Sequence, residues 1–177
     1  MGKRLFFRFG FLAICAAFGW FASDFAGNAA GSDKVVEYRK GDLTMNGAQA
    51  EAQKHLPVFL SNILDEQGLA AEGAMVKVAF PVTIDGVSGH EVIWVGPFGR
   101  LDGSFKGMLA NRPRDMTEQV GDVVDFTEDM IRDWMFPGPD GRLFGSYTTR
   151  VMLKDLDADT AAQVSASLAP DPLPEGW

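Results

Sequence analysis

The chain has 177 residues, 46% of them apolar, and a formal charge of −8. A chain of this length can bury one core of useful size, and no shift of composition marks a second domain. Its acidity, with no basic stripe to offset it, repels phosphate and argues against nucleic acid as the main partner.

The first thirty residues read as an export signal. Lys3, Arg4 and Arg8 form a positive start, and Phe9 to Ala22 is an unbroken run of apolar and small residues. That run has the length of a signal-peptide core and is short for a bilayer-spanning helix. Gly27, Ala29, Ala30 and Gly31 offer cleavage points. The competing reading is an uncleaved membrane anchor starting at Leu5. Either way the globular part is expected outside the cytoplasm, in the periplasm or facing it, with a membrane contact only through an uncleaved N-terminal segment. The one cysteine, Cys15, lies inside the apolar run behind Ile14. A lipidation signal would place a small residue there, so an apolar filler of the signal helix is the better account, and the exported part has no thiol for a disulfide.

Residues 31–45 read as a linker and 46–169 as the domain. Ala48, Ala52, Leu56, Phe59, Leu60, Ile63 and Leu64 recur at three- and four-residue spacing, which predicts a helix over Ala48–Gln67 with one apolar face. Pro57 should kink or split it near His55, and Gly68 should stop it. The period then changes to two. Val76, Val78, Phe80 and Val82 alternate with Lys77, Ala79 and Pro81, as in a strand with one face in the core. Asp85-Gly86 marks a turn before a partner strand over Glu91–Val95. Asp102-Gly103 precedes a strand over Ser104–Ala110, Gly121–Phe126 adds another, and Asp140-Gly141 separates strands over Ile131–Phe136 and Tyr147–Leu153. The Ile131–Phe136 run is also open to a helical reading, because Thr127-Glu128-Asp129 could cap a helix that continues through Trp134. A C-terminal helix over Ala158–Leu168 has Asp157 as its cap. Pro170, Pro172 and Pro174 leave 170–177 as a tail. The expected class is α+β: a bent antiparallel sheet of about five to six strands with the first helix packed on it and a short helix at the end.

Motifs for chemistry are mostly lacking. His55 and His90 are the only histidines, so no metal site of the usual ligand set is expected, and no cofactor. Asp155-Leu156-Asp157-Ala158-Asp159 resembles the start of a calcium loop. Thr160 stands where glycine should turn it, however, and Ala166 where a glutamate should close it. Gly86-Val87-Ser88-Gly89-His90 brings a serine near a histidine without the strand–turn–helix setting of a nucleophile elbow. Gly96, Gly99 and Gly103 are not spaced as a phosphate loop.

One block stands apart. It holds Glu91-Val92-Ile93-Trp94, Phe105-Lys106-Gly107, Asn111-Arg112-Pro113, Gly121-Asp122-Val123-Val124, Ile131-Arg132-Asp133-Trp134 and Gly145-Ser146-Tyr147-Thr148-Thr149-Arg150. In that order and spacing it resembles family 2314 of bacterial domains of unknown function, the YegJ-like family, over about residues 45–155. The resemblance implies a small α+β domain and no established activity, cofactor or catalytic residue. The chain departs from the family in having Val92 where histidine is frequent, and Gly145-Ser146 where two glycines are frequent.

The polar members of this block are Glu91, Asn111, Asp122, Asp133, Tyr147 and Arg150, set among Trp94, Trp134 and other aromatics. Two readings follow. In one, Arg150 pairs with Asp133 or Glu91 while Asn111 and Asp122 cap turns. In the other, these side chains converge on a groove walled by Trp94 and Trp134 that holds a ligand or peptide. The function expected first is a non-catalytic envelope module that binds a protein or peptide. The alternatives are a binder of small molecules or cell-wall fragments through Trp94, Trp134, Tyr147 and Arg150, and a metal-independent hydrolase or lyase in which Glu91, Asp122 or Asp133 forms an acid–base pair.

Overall fold

The structure, a computed structural model, describes residues 43–84 and 86–177. The signal or anchor segment and most of the linker lie outside the described residues. Helix α1, Leu43–Ile63, is followed by β1 (Met75–Ile84), β2 (Val87–Leu101), β3 (Ser104–Leu109), β4 (Val123–Phe126), β5 (Ile131–Pro137) and β6 (Leu143–Gly145), then by helices α2 (Tyr147–Met152) and α3 (Ala158–Ser167). The six strands form one sheet in the order β4-β3-β2-β1-β5-β6, antiparallel at every pairing. This is the α+β architecture that the alternating apolar pattern implies.

Helix α1 lays Ala52, Leu56, Phe59, Leu60 and Ile63 on one face of the sheet, against Val76, Val78, Ile93, Val95 and Trp134. Its start reaches back to Leu43, inside the expected linker, with Met45 already buried. Pro57 does not split it; the helix runs through as one element. Pro57 is on the exposed side, so water can take the carbonyl that its missing amide leaves free. The chain leaves α1 through Gly68, which has φ +78 and whose Cβ, if present, would stand 2.7 Å from the Arg100 carbonyl oxygen. Only glycine fits a left-handed residue packed this closely against a neighbouring backbone.

Two of the expected turns, Asp102-Gly103 and Asp140-Gly141, appear as turns, and Asp85 lies outside the described residues. Asp102 and Gly103 both take positive φ, 51° and 83°, as the two central residues of a tight hairpin require. The β2 strand is longer than Glu91–Val95, with 15 residues, because it continues past a register shift between Val95 and Phe98 to pair with β3. Ile131–Pro137 is a strand, and the Thr127-Glu128-Asp129 signal yields only a short 3-10 turn, Glu128–Met130, before it.

The last expected strand is overturned. Tyr147–Leu153 is not a strand but helix α2 and the turn behind it. The β-branched residues Thr148, Thr149 and Val151 favour a strand locally. Gly145 and Ser146, however, both take left-handed φ, 70° and 54°, and turn the chain away from the sheet. Tertiary contacts then hold the helix start, as described below. The last residues also depart from the reading as a tail. Gly145 N–H donates to the Pro172 carbonyl at 2.7 Å, and Trp177 stacks on Phe136 at 5.0 Å between ring centres.

Candidate functional site

The most demanding chemistry in the fold is at Asp133, a carboxylate with no solvent exposure on β5. Burying a charge is costly unless hydrogen bonds replace the lost water. Four do so here. Asp133 Oδ1 accepts the amides of Trp134 at 2.9 Å and Tyr147 at 3.1 Å. Oδ2 accepts the Thr148 amide at 2.8 Å and the Thr148 hydroxyl at 2.6 Å. Asp133 thus caps the first turn of α2 from a neighbouring strand, where the residue in the cap position, Ser146, makes no side-chain bond of that kind.

Lys77 completes this knot. The sheet register places Lys77 opposite Asp133 on one side and opposite Trp94 on the other. Its ammonium donates to Thr148 Oγ1 at 3.1 Å and lies 5.3 Å from the Trp94 ring centre, within cation–π range. Burial pushes the Lys77 ammonium down from its ordinary value, with Asp133 pulling the other way. Burial likewise pushes the Asp133 carboxyl up, against the donors of Thr148 and the charge of Lys77. Every contact to Asp133 is a donor, so the arrangement suits the ionised carboxylate.

The remaining residues of the sequence-predicted set sit apart from this knot, each joined to backbone nearby. Glu91 accepts the amides of Arg114 at 2.5 Å and Asp115 at 2.8 Å, and so fastens the loop after β3. Asn111 Oδ1 accepts the Trp94 amide at 2.9 Å and extends the β2–β3 ladder by one bond. Asp122 Oδ2 accepts the Gln119 amide at 2.8 Å across a turn. Of the two residues expected to cap turns, Asp122 has a contact of that kind, whereas Asn111 reaches across to a strand amide.

Two groupings proposed from sequence do not form. Trp94 and Trp134 do not wall a common groove. Trp134 pairs with Val76 and Trp94 with Lys77, so they point to opposite faces of the pleated sheet. Trp134 is fully buried, stacks on Phe59 at 4.6 Å and donates its indole N–H to the Ala52 carbonyl at 2.9 Å. Nor does Arg150 pair with Asp133 or Glu91. Its Nε donates to the Gly145 carbonyl at 2.9 Å, and its Nη2 is buried without a partner. The three carboxylates Glu91, Asp122 and Asp133 likewise serve separate backbone segments. Glu91 follows the register of Phe80 and Asp133 that of Lys77, which puts them on opposite faces.

Tyr147 lies under α1, edge-on to Trp134 at 5.5 Å and stacked on His55 at 6.3 Å. Burial, helped by the charges of Asp133 and Glu51, pushes its phenol up to about 12, and the hydroxyl is buried without a partner. The calcium-like run resolves as a helix start, with Asp157 Oδ1 accepting the Thr160 amide at 3.0 Å. Among the described residues no group of three or more His, Cys, Asp or Glu could hold a metal ion.

Sequence reasoning passed over Lys77 and Thr148. Lys77 was read as the water-facing partner in an alternating strand. The sign against this reading was Ala79, an apolar residue on the same face. Thr148 was hidden by its β-branched neighbours.

An open antiparallel sheet with a helix on one face and a helical turn capped from β5 defines the class, a small α+β domain with no recognisable catalytic constellation among the described residues. Within that class the chain belongs to the DUF2314 family, described as an uncharacterized protein conserved in bacteria, whose model matches residues 42–169. No curated protein and no solved structure matches the chain.

Proposed function

We propose that this chain is an exported, non-catalytic interaction module whose partner is a polypeptide of the bacterial envelope. The N-terminal segment supports export, and the use of Glu91, Asn111, Asp122 and Asp133 on the domain's own backbone supports a non-catalytic role.

The observation that carries the reading is the outer half of the β1–β2 hairpin. Strand β5 pairs with β1 only as far as Val78, and β3 pairs with β2 only from Val95. Beyond those points the two strands pair with each other alone, through to Ile84 and Val87. Trp94 directs its amide and carbonyl away from β1, to Asn111 and Ala110. By alternation Val92, His90 and Ser88 do the same, and among the described residues their backbone groups have no partner. Val87 is 68% exposed on this arm and Val92 37%. A strand edge with free donors and exposed β-branched side chains is suited to accept an extended segment as an added strand.

The experiment is crosslinked capture with the full chain in its native envelope, comparing wild type with His90→Pro. By the same alternation the His90 amide points away from β1, so this variant removes an outward donor and no bond of the hairpin ladder. A stoichiometric partner held by wild type and lost in His90→Pro supports the reading. An empty capture, or a partner held equally by both, rejects it.

A further inference from the structure

A second feature stands apart from the hairpin arm. A cavity of about 290 Å³ opens beside α2 and α3, lined by Arg142, Arg150, Leu153, Ser165, Leu168 and Ala169 among others. Its walls are held by pairings that bring the end of the chain to β6. Leu143 bridges Leu168, and the Ala169 amide donates to the Leu143 carbonyl at 2.9 Å. The volume is at the small end of the range for ligand sites, roughly 300–1,000 Å³, and suits a molecule the size of an amino acid.

The charge in this cavity runs against that of the chain, which is −8 overall. Arg150 and Arg142 both line it. Arg142 is tied to the exposed Asp140 at 2.7 Å, but Arg150 has no ion pair among the described residues. Its Nε is engaged by the Gly145 carbonyl at 2.9 Å, which fixes the plane of the guanidinium. The Nη2 amine is buried without a partner, and no acceptor among the described residues meets Nη1. Burial pulls the Arg150 guanidinium down from its ordinary value, while Tyr147, then Asp133 and Asp171, pull it up through their field. The guanidinium is pinned at Nε and closed off at Nη2, which leaves Nη1 as the one donor it can offer to an anion in the cavity.

We propose that this cavity binds the carboxylate of a small ligand, with Arg150 meeting the carboxylate through Nη1, Arg142 adding positive field, and Leu153, Leu168 and Ala169 receiving a short apolar body. Two sources have this chemistry, a free small carboxylic acid and the C-terminus of a peptide.

The test is a calorimetric titration of the full chain with N-acetylalanine and its amide, and with trialanine bearing a free or an amidated C-terminus. The free acids are expected to bind saturably and the amides at least tenfold more weakly. A tighter trialanine acid identifies a chain terminus as the ligand, and equal affinity of the two acids identifies a free small carboxylate. Arg150→Gln, which removes the charge and the Nη1 donor, should weaken binding at least tenfold. Because that variant also disturbs the bond to Gly145, Ala166→Trp serves as the second. Ala166 is exposed on α3 and lines the same cavity, so the indole fills it with Arg150 left intact. Absence of saturable binding, equal affinity for acid and amide, or full affinity in Ala166→Trp overturns the proposal. None of these results bears on the hairpin arm, which His90→Pro tests separately.

Discussion

Thr148 is joined to Asp133 twice through one carboxylate oxygen, by its hydroxyl at 2.6 Å and its amide at 2.8 Å. The same hydroxyl accepts from Lys77 at 3.1 Å. A single threonine therefore holds the start of α2 to β5 and separates a buried anion from a desolvated cation. The arrangement is asymmetric: Asp133 has four donors, whereas Lys77 has one acceptor among the described residues and an aromatic face.

That asymmetry predicts unequal losses. Asp133→Ala leaves three amides and the Thr148 hydroxyl without their acceptor and Lys77 without its counter-charge, and should cost about 3–5 kcal/mol. Lys77→Met leaves Asp133 with all four donors and replaces a desolvated ammonium by a flexible apolar chain, so it should cost about 1 kcal/mol or less. Urea unfolding of both variants measures the difference. Equal losses would show that the ion pair, rather than the hydrogen-bonded cap, holds α2 in place.

Gly145 and Gly141 separate conformational strain from close packing. Both have positive φ, +70 and +80, but a Cβ on Gly145 would lie 2.2 Å from the Trp134 carbonyl oxygen and 2.5 Å from its ring, whereas one on Gly141 meets nothing within 4 Å. Gly141→Ala should therefore cost only the left-handed strain, about 1 kcal/mol. Gly145→Ala must also displace a fully buried tryptophan and should cost at least about 3 kcal/mol. The two thermal midpoints should differ accordingly.

The sheet was legible because its core face is written in alternation. Val76, Val78, Phe80 and Val82 are buried, and their register against Ile93 and Val95 follows from the side-chain period of two. The Asp-Gly turns were equally local signals. Helix α2 was not legible, because its cap comes from Asp133, fourteen residues earlier, and no window along the chain contains both partners. The sequence-predicted groove failed for a related reason. Composition can gather Trp94 and Trp134 into one list, but only the register assigns each to a face.

Tyr147 gives a prediction in pH. Its phenol is raised from 10.0 to about 12, so the folded state holds the proton more tightly than the unfolded chain. The stability this contributes is complete below pH 10 and is lost as pH rises through 12. Tyr147→Phe retains the ring against Trp134 and removes a buried hydroxyl that has no partner. At pH 7 it should be neutral or stabilising by up to about 1 kcal/mol. Between pH 10 and 12 its stability should fall less than that of wild type, as read by denaturant midpoints, and the absorbance step of phenol ionisation near pH 12 should disappear.

Glu91 is expected to act locally. Its carboxylate holds the amides of Arg114 and Asp115 on a loop with few other fastenings, while its own strand position is secured by the β1–β2 ladder. Glu91→Ala should thus lower global stability by only about 1–2 kcal/mol and open the loop preferentially. Arg114 is followed by Asp115, a bond trypsin can cut, whereas Arg112 is protected by Pro113. Limited trypsin digestion should cut the variant after Arg114 several times faster than wild type at a matched fraction folded. If Glu91 instead belongs to the wider cooperative core, cleavage after Arg114 will accelerate only in proportion to global unfolding, and the denaturant midpoint will move with it.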